Sequence, residues 1–230
     1  ENKAVIIGGG AAGLFCAGLA AQRGLDVTVI DKNAKPARKL LITGKGRCNV
    51  TNDCTPDDFL QNVRTNPRFL YSAIQAFSPS DTMRFFGDHG VPLKTERGSR
   101  VFPVSDKAAD IVDALREFAK QEGVKIISKT QAVAVGCENG AVSRVLCGEG
   151  LGFDADAVVI ATGGASYPLT GSNGDGYRLA KQLGHTVIAP RPSLIPIVTA
   201  EPWCAEMMGL SLKNVTLTVK NEKNKTVFHE

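Results

Sequence analysis

The run Ala4-Val-Ile-Ile-Gly8-Gly-Gly10-Ala-Ala-Gly13-Leu-Phe-Cys-Ala17, followed at residues 27–31 by Val-Thr-Val-Ile-Asp, decides the fold. Ala4 to Ile7 is apolar and uncharged, as expected of a parallel strand buried on both faces. Gly8, Gly10 and Gly13 carry G-x-G-x-x-G spacing where that strand gives way to a helix. Gly8 permits a tight turn, Gly10 lets the backbone approach a pyrophosphate, and Gly13 allows close helix–strand packing, while free amides of the helix start face the phosphate charge. Asp31 follows Gly13 by 18 residues, at the end of the second strand, where it can accept a ribose hydroxyl. It also disfavours a 2′-phosphate, since two negative groups would then face each other. The reading is an adenine dinucleotide, FAD or NAD.

At 230 residues the chain can bury a sizeable core, as one large domain or one domain and part of another. Its 43% hydrophobic and 22% charged residues are those of a globular protein. The net charge of +4 is small and dispersed, which argues against a nucleic-acid partner. No apolar run approaches the roughly 20 residues of a membrane span, and the opening, broken by glycines, does not read as a signal peptide. The six cysteines, Cys16, Cys48, Cys54, Cys137, Cys147 and Cys204, lack metal-ligand spacing, so no metal is expected. Their scatter fits a reducing cytoplasm. N-x-S/T triplets at Asn49, Asn214 and Asn224 read as chance.

After Asp31 the chain is cationic: Lys32, Lys35, Arg38, Lys39, Lys45 and Arg47 fall within residues 32–47. Gly44 and Gly46 bracket cations and permit close backbone approach, which points to a loop facing phosphate or flavin with Arg38, Lys39 and Arg47 as donors. Thr55-Pro56, Asn66-Pro67 and Ser78-Pro79 each place a capping side chain before proline, predicting three short helices. A hairpin over Leu93–Val104 is expected to turn at Arg97-Gly98-Ser99. Ser105 is then expected to cap a helix with an apolar face of Ala108, Ile111, Val112, Leu115, Phe118 and Ala119, ending at Gly123. A strand over 124–127 precedes a hairpin around Asn139-Gly140. A second strand-to-glycine passage, residues 156–164, delivers Ala161-Thr162-Gly163 to the sheet edge where ligands of doubly wound folds bind. Asp175 opens a helix ending at Gly184, either stabilising its start or contacting the ligand. His185–Ala189 reads as a strand. The proline-rich stretch 190–196 is the clearest boundary; beyond it Leu212–Val219 alternates as a strand, and a second strand from Thr226 runs to Glu230. That late hairpin suggests a fragment of a longer chain.

Together these segments resemble a flavoprotein family that includes BaiN-like proteins and aminoacetone-oxidase-like enzymes. The resemblance is carried by Gly8-Gly-Gly-Ala-Ala-Gly13, by residues 38–52 (Arg-Lys-Leu-Leu-Ile-Thr-Gly-Lys-Gly-Arg-Cys-Asn-Val-Thr-Asn), by Arg100-Val-Phe-Pro103, by Ala161-Thr-Gly-Gly164 and by Gly174-Asp-Gly176. It implies FAD, with the adenosine half on the first βαβ unit and the flavin near Arg47-Cys48-Asn49 and Ala161-Thr162-Gly163. It also implies an α/β Rossmann-like FAD-binding domain, a parallel sheet with helices and a β-meander. That domain would span residues 1–192, with a helical and hairpin insertion at about 53–104, and residues 193–230 would begin an inserted β-rich substrate domain. The candidate cofactor contacts are Gly8, Gly10, Ala11, Ala12, Gly13, Asp31, Lys32, Arg38, Lys39, Gly46, Arg47, Cys48, Asn49, Val133, Ala161, Thr162, Gly163 and Asp175.

The function expected is FAD-dependent oxidoreduction of a small organic substrate, either amino-ketone oxidation or enone reduction. NAD(P)H is a candidate electron donor, and the oligomeric state is open. No residue stands out as catalytic, because His89, His185 and His229 are isolated. Two alternatives compete: a dithiol flavin reductase using Cys48 and Cys54, and a non-catalytic nucleotide-binding module.

Overall fold

A computed structural model describes residues 2–195 and 197–229 of the chain. Pro196, at the end of the boundary stretch, and Glu230, where the last strand was expected to stop, lie outside the described residues. The chain divides into two compact units, Glu1–Ala189 and Pro190–Glu230.

The first unit opens with β1 (Lys3–Ile7), α1 (Ala11–Gln22) and β2 (Asp26–Ile30), a βαβ unit whose two strands pair in parallel, the connection for which a right-handed crossover is the rule. Alanine and leucine form α1, and Gly24, at φ +84°, ends it. After a 3₁₀ segment over Leu40–Gly46, β3 (Thr51–Asn52) leads into α2 (Pro56–Gln61), a 3₁₀ turn (Pro67–Leu70), α3 (Tyr71–Ala76) and α4 (Pro79–Asp88). Thr55 and Ser78 cap α2 and α4 with their side chains, Ser78 in a reciprocal pair with Asp81. Asn66 instead takes a left-handed backbone at φ +51°, with no side-chain cap, so its proline starts the tighter turn.

The hairpin β4 (Leu93–Glu96) and β5 (Arg100–Pro103) turns where expected, and β3 adds to it. Helix α5 (Ala108–Gln121) buries every position of its expected apolar face. Its N-cap is Lys107 rather than Ser105. The Ser105 hydroxyl accepts the Lys107 N–H (3.2 Å) and donates to Asp110 (2.5 Å), closing a local turn just before the helix. There follow β6 (Lys125–Ile127), a meander of β7 (Ala132–Glu138), β8 (Ala141–Cys147) and β9 (Gly152–Asp154), then β10 (Ala157–Ile160) and α6 (Asp175–Gln182). Residues 185–189 form no strand; the His185 amide donates back to Ala180 at the end of α6 and no ladder partner adjoins the segment.

The central sheet is parallel, in the order β10-β1-β2-β6. Alternate residues of β1 explain its two covered faces. Ala4 and Ile6 join Leu14, Ile111 and Leu115 under α1 and α5, whereas Val5 and Ile7 join Val145, Cys147 and Leu179 under the meander and α6. Burying each large aliphatic side chain contributes about 1.5–3 kcal/mol. The fold is thus Rossmann-like α/β, as expected.

In the second unit, α7 (Trp203–Glu206) and a hairpin of β11 (Thr218–Lys220) and β12 (Thr226–His229) are the regular elements among the described residues. The strand expected over 212–219 is regular only at its end, because hydrogen-bonded pairing with β12 begins at Thr218.

Candidate dinucleotide cleft

The site grows out of the β1–α1 turn. Gly8 has φ +110°, and a Cβ there would lie 2.5 Å from the Ala161 carbonyl oxygen, so β1 and the end of β10 touch through backbone. Gly13 is tighter: a Cβ would fall 1.8 Å from the Gly8 carbonyl oxygen. Around Gly10 a Cβ would meet nothing within 4 Å, because that side faces open space. Gly10 is the N-cap of α1 and no side chain caps the helix, so its first amides point outward unclaimed by side chains.

A cleft of about 530 Å³ opens there. Its walls include Gly8, Gly10, Ala11 and Ala12 from the turn, Asp31 and Lys32 after β2, and Arg38, Lys39 and Thr43 from the following loop. Thr130–Ala132, Ala161–Gly163, Thr170–Ser172 and Asp175 complete it. Asp31 is 6% exposed, and both its oxygens are held: the Gly9 N–H donates to Oδ2 (2.8 Å) and the Asn33 N–H to Oδ1 (2.7 Å). The carboxylate is therefore aimed by backbone rather than by a rotamer preference.

Three side chains, Lys32, Asn33 and Lys39, tie the loop after β2 to the segment leading into the start of α6. Lys32 pairs with Asp175 at 2.6 Å and donates to Asn173 at 2.7 Å. Asn33 donates to the Thr170 carbonyl at 3.4 Å, and Lys39 donates to the Ser166 carbonyl at 2.7 Å. Arg38 lines the cleft and has no ion pair or side-chain hydrogen bond among the described residues.

Other candidates lie elsewhere. Gly13 packs against β1 and Gly46 is outside the cleft lining. Arg47 does not face the cleft: its guanidinium pairs with Glu96 and Asp106 and covers the Phe102 ring at 4.2 Å. Arg47 holds the Glu96 carboxyl below the ordinary carboxylate range, and Lys94 together with Arg47 does the same for Asp106. Cys48 is buried at φ +60°, and burial pushes its thiol up against a smaller opposing hydrogen bond with Thr43. With Arg47 committed to carboxylates, Cys48 lacks the cation a reactive thiolate needs, and the dithiol alternative loses its support. Cys48 and Asn49 line a separate apolar recess of about 240 Å³, shared with Ala11, Ala12, Phe15, Leu40, Phe77 and Phe85.

Val133 is also displaced; its carbonyl accepts from Arg178 (2.6 Å), and its neighbours Thr130, Gln131 and Ala132 line the cleft instead. Sequence reasoning missed those three, together with Asn33, Thr43 and Ser172. Only Gly171, between Thr170 and Ser172, offered a local signal.

The cleft suits an adenine dinucleotide on its own geometry: an uncapped helix start, a glycine with no side chain in the way, and an acid fixed beside it. No helix of the described residues is long and apolar enough to cross a membrane, and no cluster of metal-ligating side chains occurs among them.

Comparison with known proteins agrees. Residues 2–228 match the family described as HI0933-like protein Rossmann domain. The chain is 35% identical over 228 residues to a ribosomal RNA dihydrouridine synthase of Escherichia coli (strain K12), covering 99% of this chain and 55% of that one. It is 33% identical over 211 residues to a 3-dehydro-bile acid delta(4,6)-reductase of Clostridium scindens, covering 91% and 50%. Mycobacterium smegmatis Sdh1, solved in complex with UQ1, shares the fold with a TM-score of 0.61 at 20% identity, over 80% of this chain and 39% of that one. The chain spans about half the length of the curated relatives it matches. The glycine turn, the parallel sheet and a match along nearly the whole sequence lead to one conclusion: the chain belongs to the HI0933-like Rossmann-domain family.

Proposed function

We propose that this chain supplies the dinucleotide cleft of a FAD-dependent oxidoreductase that saturates a carbon–carbon double bond conjugated to a carbonyl. The observation that carries the reading is the uncapped start of α1, open at Gly10 and flanked by the backbone-held carboxylate of Asp31. The amides and macrodipole of α1 hold the diphosphate, and Asp31 accepts from the adenosine ribose. Thr130–Ala132 form the wall for the adenine, while Arg38 and Lys39 add positive charge along the cleft. Lys32 and Asp175 neutralise each other and keep the two walls at a set separation. FAD, when bound, supplies the two-electron hydride chemistry, and the protein supplies orientation and electrostatics around it.

Two relatives whose names differ support this substrate class. A dihydrouridine synthase and a bile-acid delta(4,6)-reductase both remove a double bond conjugated to a carbonyl. We take NADH or NADPH as the electron donor and a reducing cytoplasm as the setting, in keeping with free cysteines. The expectation that nucleic acid is not a partner rested on net charge alone, whereas local charge governs such contacts. A spectrum of the purified protein tests the cofactor: flavin bands in the near-ultraviolet and blue are expected, and a colourless protein that takes up no added FAD overturns the reading. Anaerobic bleaching by NADH or NADPH, followed by recolouring with an enone, is expected. Bleaching by an amino-ketone instead would make the enzyme an oxidase.

A further inference from the structure

We propose that Arg178 is the positioning residue of the adenosine half of the cleft, acting through the backbone of Ala132 and Val133; the assignment rests on the FAD reading above. In β7, Ala132 pairs with Cys147 and Ala134 with Leu146, so Val133 is one residue too many and bulges from the ladder. A bulge leaves its extra residue unpaired and re-aims the strand around it. An unpaired backbone carbonyl then needs another donor. Arg178 provides it: Nη1 donates to the Val133 carbonyl (2.6 Å) and Nη2 to that of Ala132 (3.4 Å). Ala132 is buried, and with Thr130 and Gln131 it forms the wall assigned to adenine. Arg178 is not among the residues that line the cleft, so its effect passes through that wall.

The near end of the wall is fixed by backbone. The Thr130 N–H donates to the Asp31 carbonyl at 3.0 Å, and the Gly148 N–H donates to that of Gln131 at 3.1 Å. Past Ala132 the ladder breaks, and there a side chain takes over. Helix α6 aims that side chain. Leu179, fully buried, shares a core cluster with Val5, Ile7 and Ala132, which fixes the rotation of the helix over the sheet. Asp175, one turn before Arg178, places Oδ1 3.9 Å from Nη2 of Arg178 and gives Oδ2 to Lys32 at 2.6 Å. A polar chain therefore runs Lys32–Asp175–Arg178–Val133 and joins the loop after β2, α6 and β7 around one end of the cleft. Arg47, Arg84, Arg116 and Arg144 instead reach carboxylates at closer range. The Arg178 side chain is 42% exposed, so water can satisfy much of what a smaller residue leaves, and its loss shifts the wall more than it unfolds the chain.

The test is amide hydrogen exchange of the cofactor-free protein with and without saturating ADP, which carries the adenosine half of FAD, together with titrations of ADP and FAD. In the parent, ADP should slow exchange both at the Gly8–Gly13 turn and at residues 130–134. Arg178→Ala should weaken ADP and FAD by the same factor, about tenfold, the equivalent of one charged hydrogen bond. At saturation it should keep the protection at the turn and lose most of it at residues 130–134. Arg178→Lys, which can reach one carbonyl but not both, should fall between the two, and it carries the comparison if the alanine variant does not fold. Lys181→Ala, at an exposed position of the same helix, should match the parent. Equal loss of protection at the turn and at residues 130–134, with a lower melting temperature, would make Arg178 a general structural brace and overturns the proposal. Parental ADP affinity and protection in every folded Arg178 variant overturns it as well. A parent that takes up neither ADP nor FAD fails the FAD reading and this assignment together, whereas a parent that binds both with unaffected variants fails this assignment alone.

Discussion

Adding one methyl group at Gly10 or at Gly13 separates the two jobs of the glycine turn. At Gly13 the new Cβ would stand 1.8 Å from the Gly8 carbonyl oxygen, where real Cβ atoms essentially never approach within 3.0 Å. Both partners are backbone, so α1 and β1 must move apart by roughly 1 Å. Overpacking of that kind costs about 1–3 kcal/mol, a large share of a marginal stability. A domain of this size loses about 2–4 °C in Tm for each kcal/mol, so Gly13→Ala should melt several degrees lower. At Gly10 the backbone (φ −80°, ψ −171°) is open to any residue and nothing lies within 4 Å of a Cβ. Alanine caps worse than glycine but also restricts the unfolded chain, and these small terms oppose each other. Gly10→Ala should therefore melt within about 2 °C of the parent. Its methyl group nevertheless enters the space of the diphosphate, and a penalty of about 1–3 kcal/mol weakens FAD roughly 5- to 150-fold. A thermal melt of the cofactor-free protein and a titration monitored by flavin fluorescence report the two effects separately. An unchanged FAD affinity in Gly10→Ala, or an unchanged melt in Gly13→Ala, would refute the reasoning.

Asp31→Ala removes a ribose acceptor and also strands the Gly9 and Asn33 amides; FAD affinity should fall by about 1.5–3 kcal/mol with a parallel loss of stability of about 1–3 kcal/mol, and unchanged denaturation midpoints would remove Asp31 from its structural role. Arg47→Gln should lower stability and leave FAD affinity near the parent's, since the guanidinium serves Glu96 and Asp106 rather than the cleft; a selective loss of FAD binding would contradict that. Because Glu96 and Asp106 ionise at lower pH in the folded chain than in the unfolded one, their contribution is present at neutral pH and disappears as pH falls through and below the ordinary carboxylate range. Acid melts of the parent should show this loss and Arg47→Gln should show less of it. Native Cys48 should resist alkylation at neutral pH while exposed Cys137 reacts, as mass spectrometry of the labelled peptides will show; rapid labelling of Cys48 would revive a thiol mechanism.

What the sequence determined by itself was local in the chain. Gly8, Gly10 and Gly13 act through backbone geometry within one turn, and the alternation of β1 and the face of α5 follow from periodicity alone. Asp31 could be placed because strand length and crossover handedness bring the end of β2 beside the end of β1. Side-chain partners distant in sequence were decided only by tertiary structure. Arg47 looked like a phosphate donor because its neighbours are cations and glycines, yet Glu96 and Asp106, 49 and 59 residues on, capture it. Lys32 found Asp175 across 143 residues, and Cys48 became an inert core thiol through burial that no spacing encodes. Backbone preferences are properties of a few consecutive residues, whereas the destination of a long charged side chain depends on which carboxylates the finished fold carries into its reach.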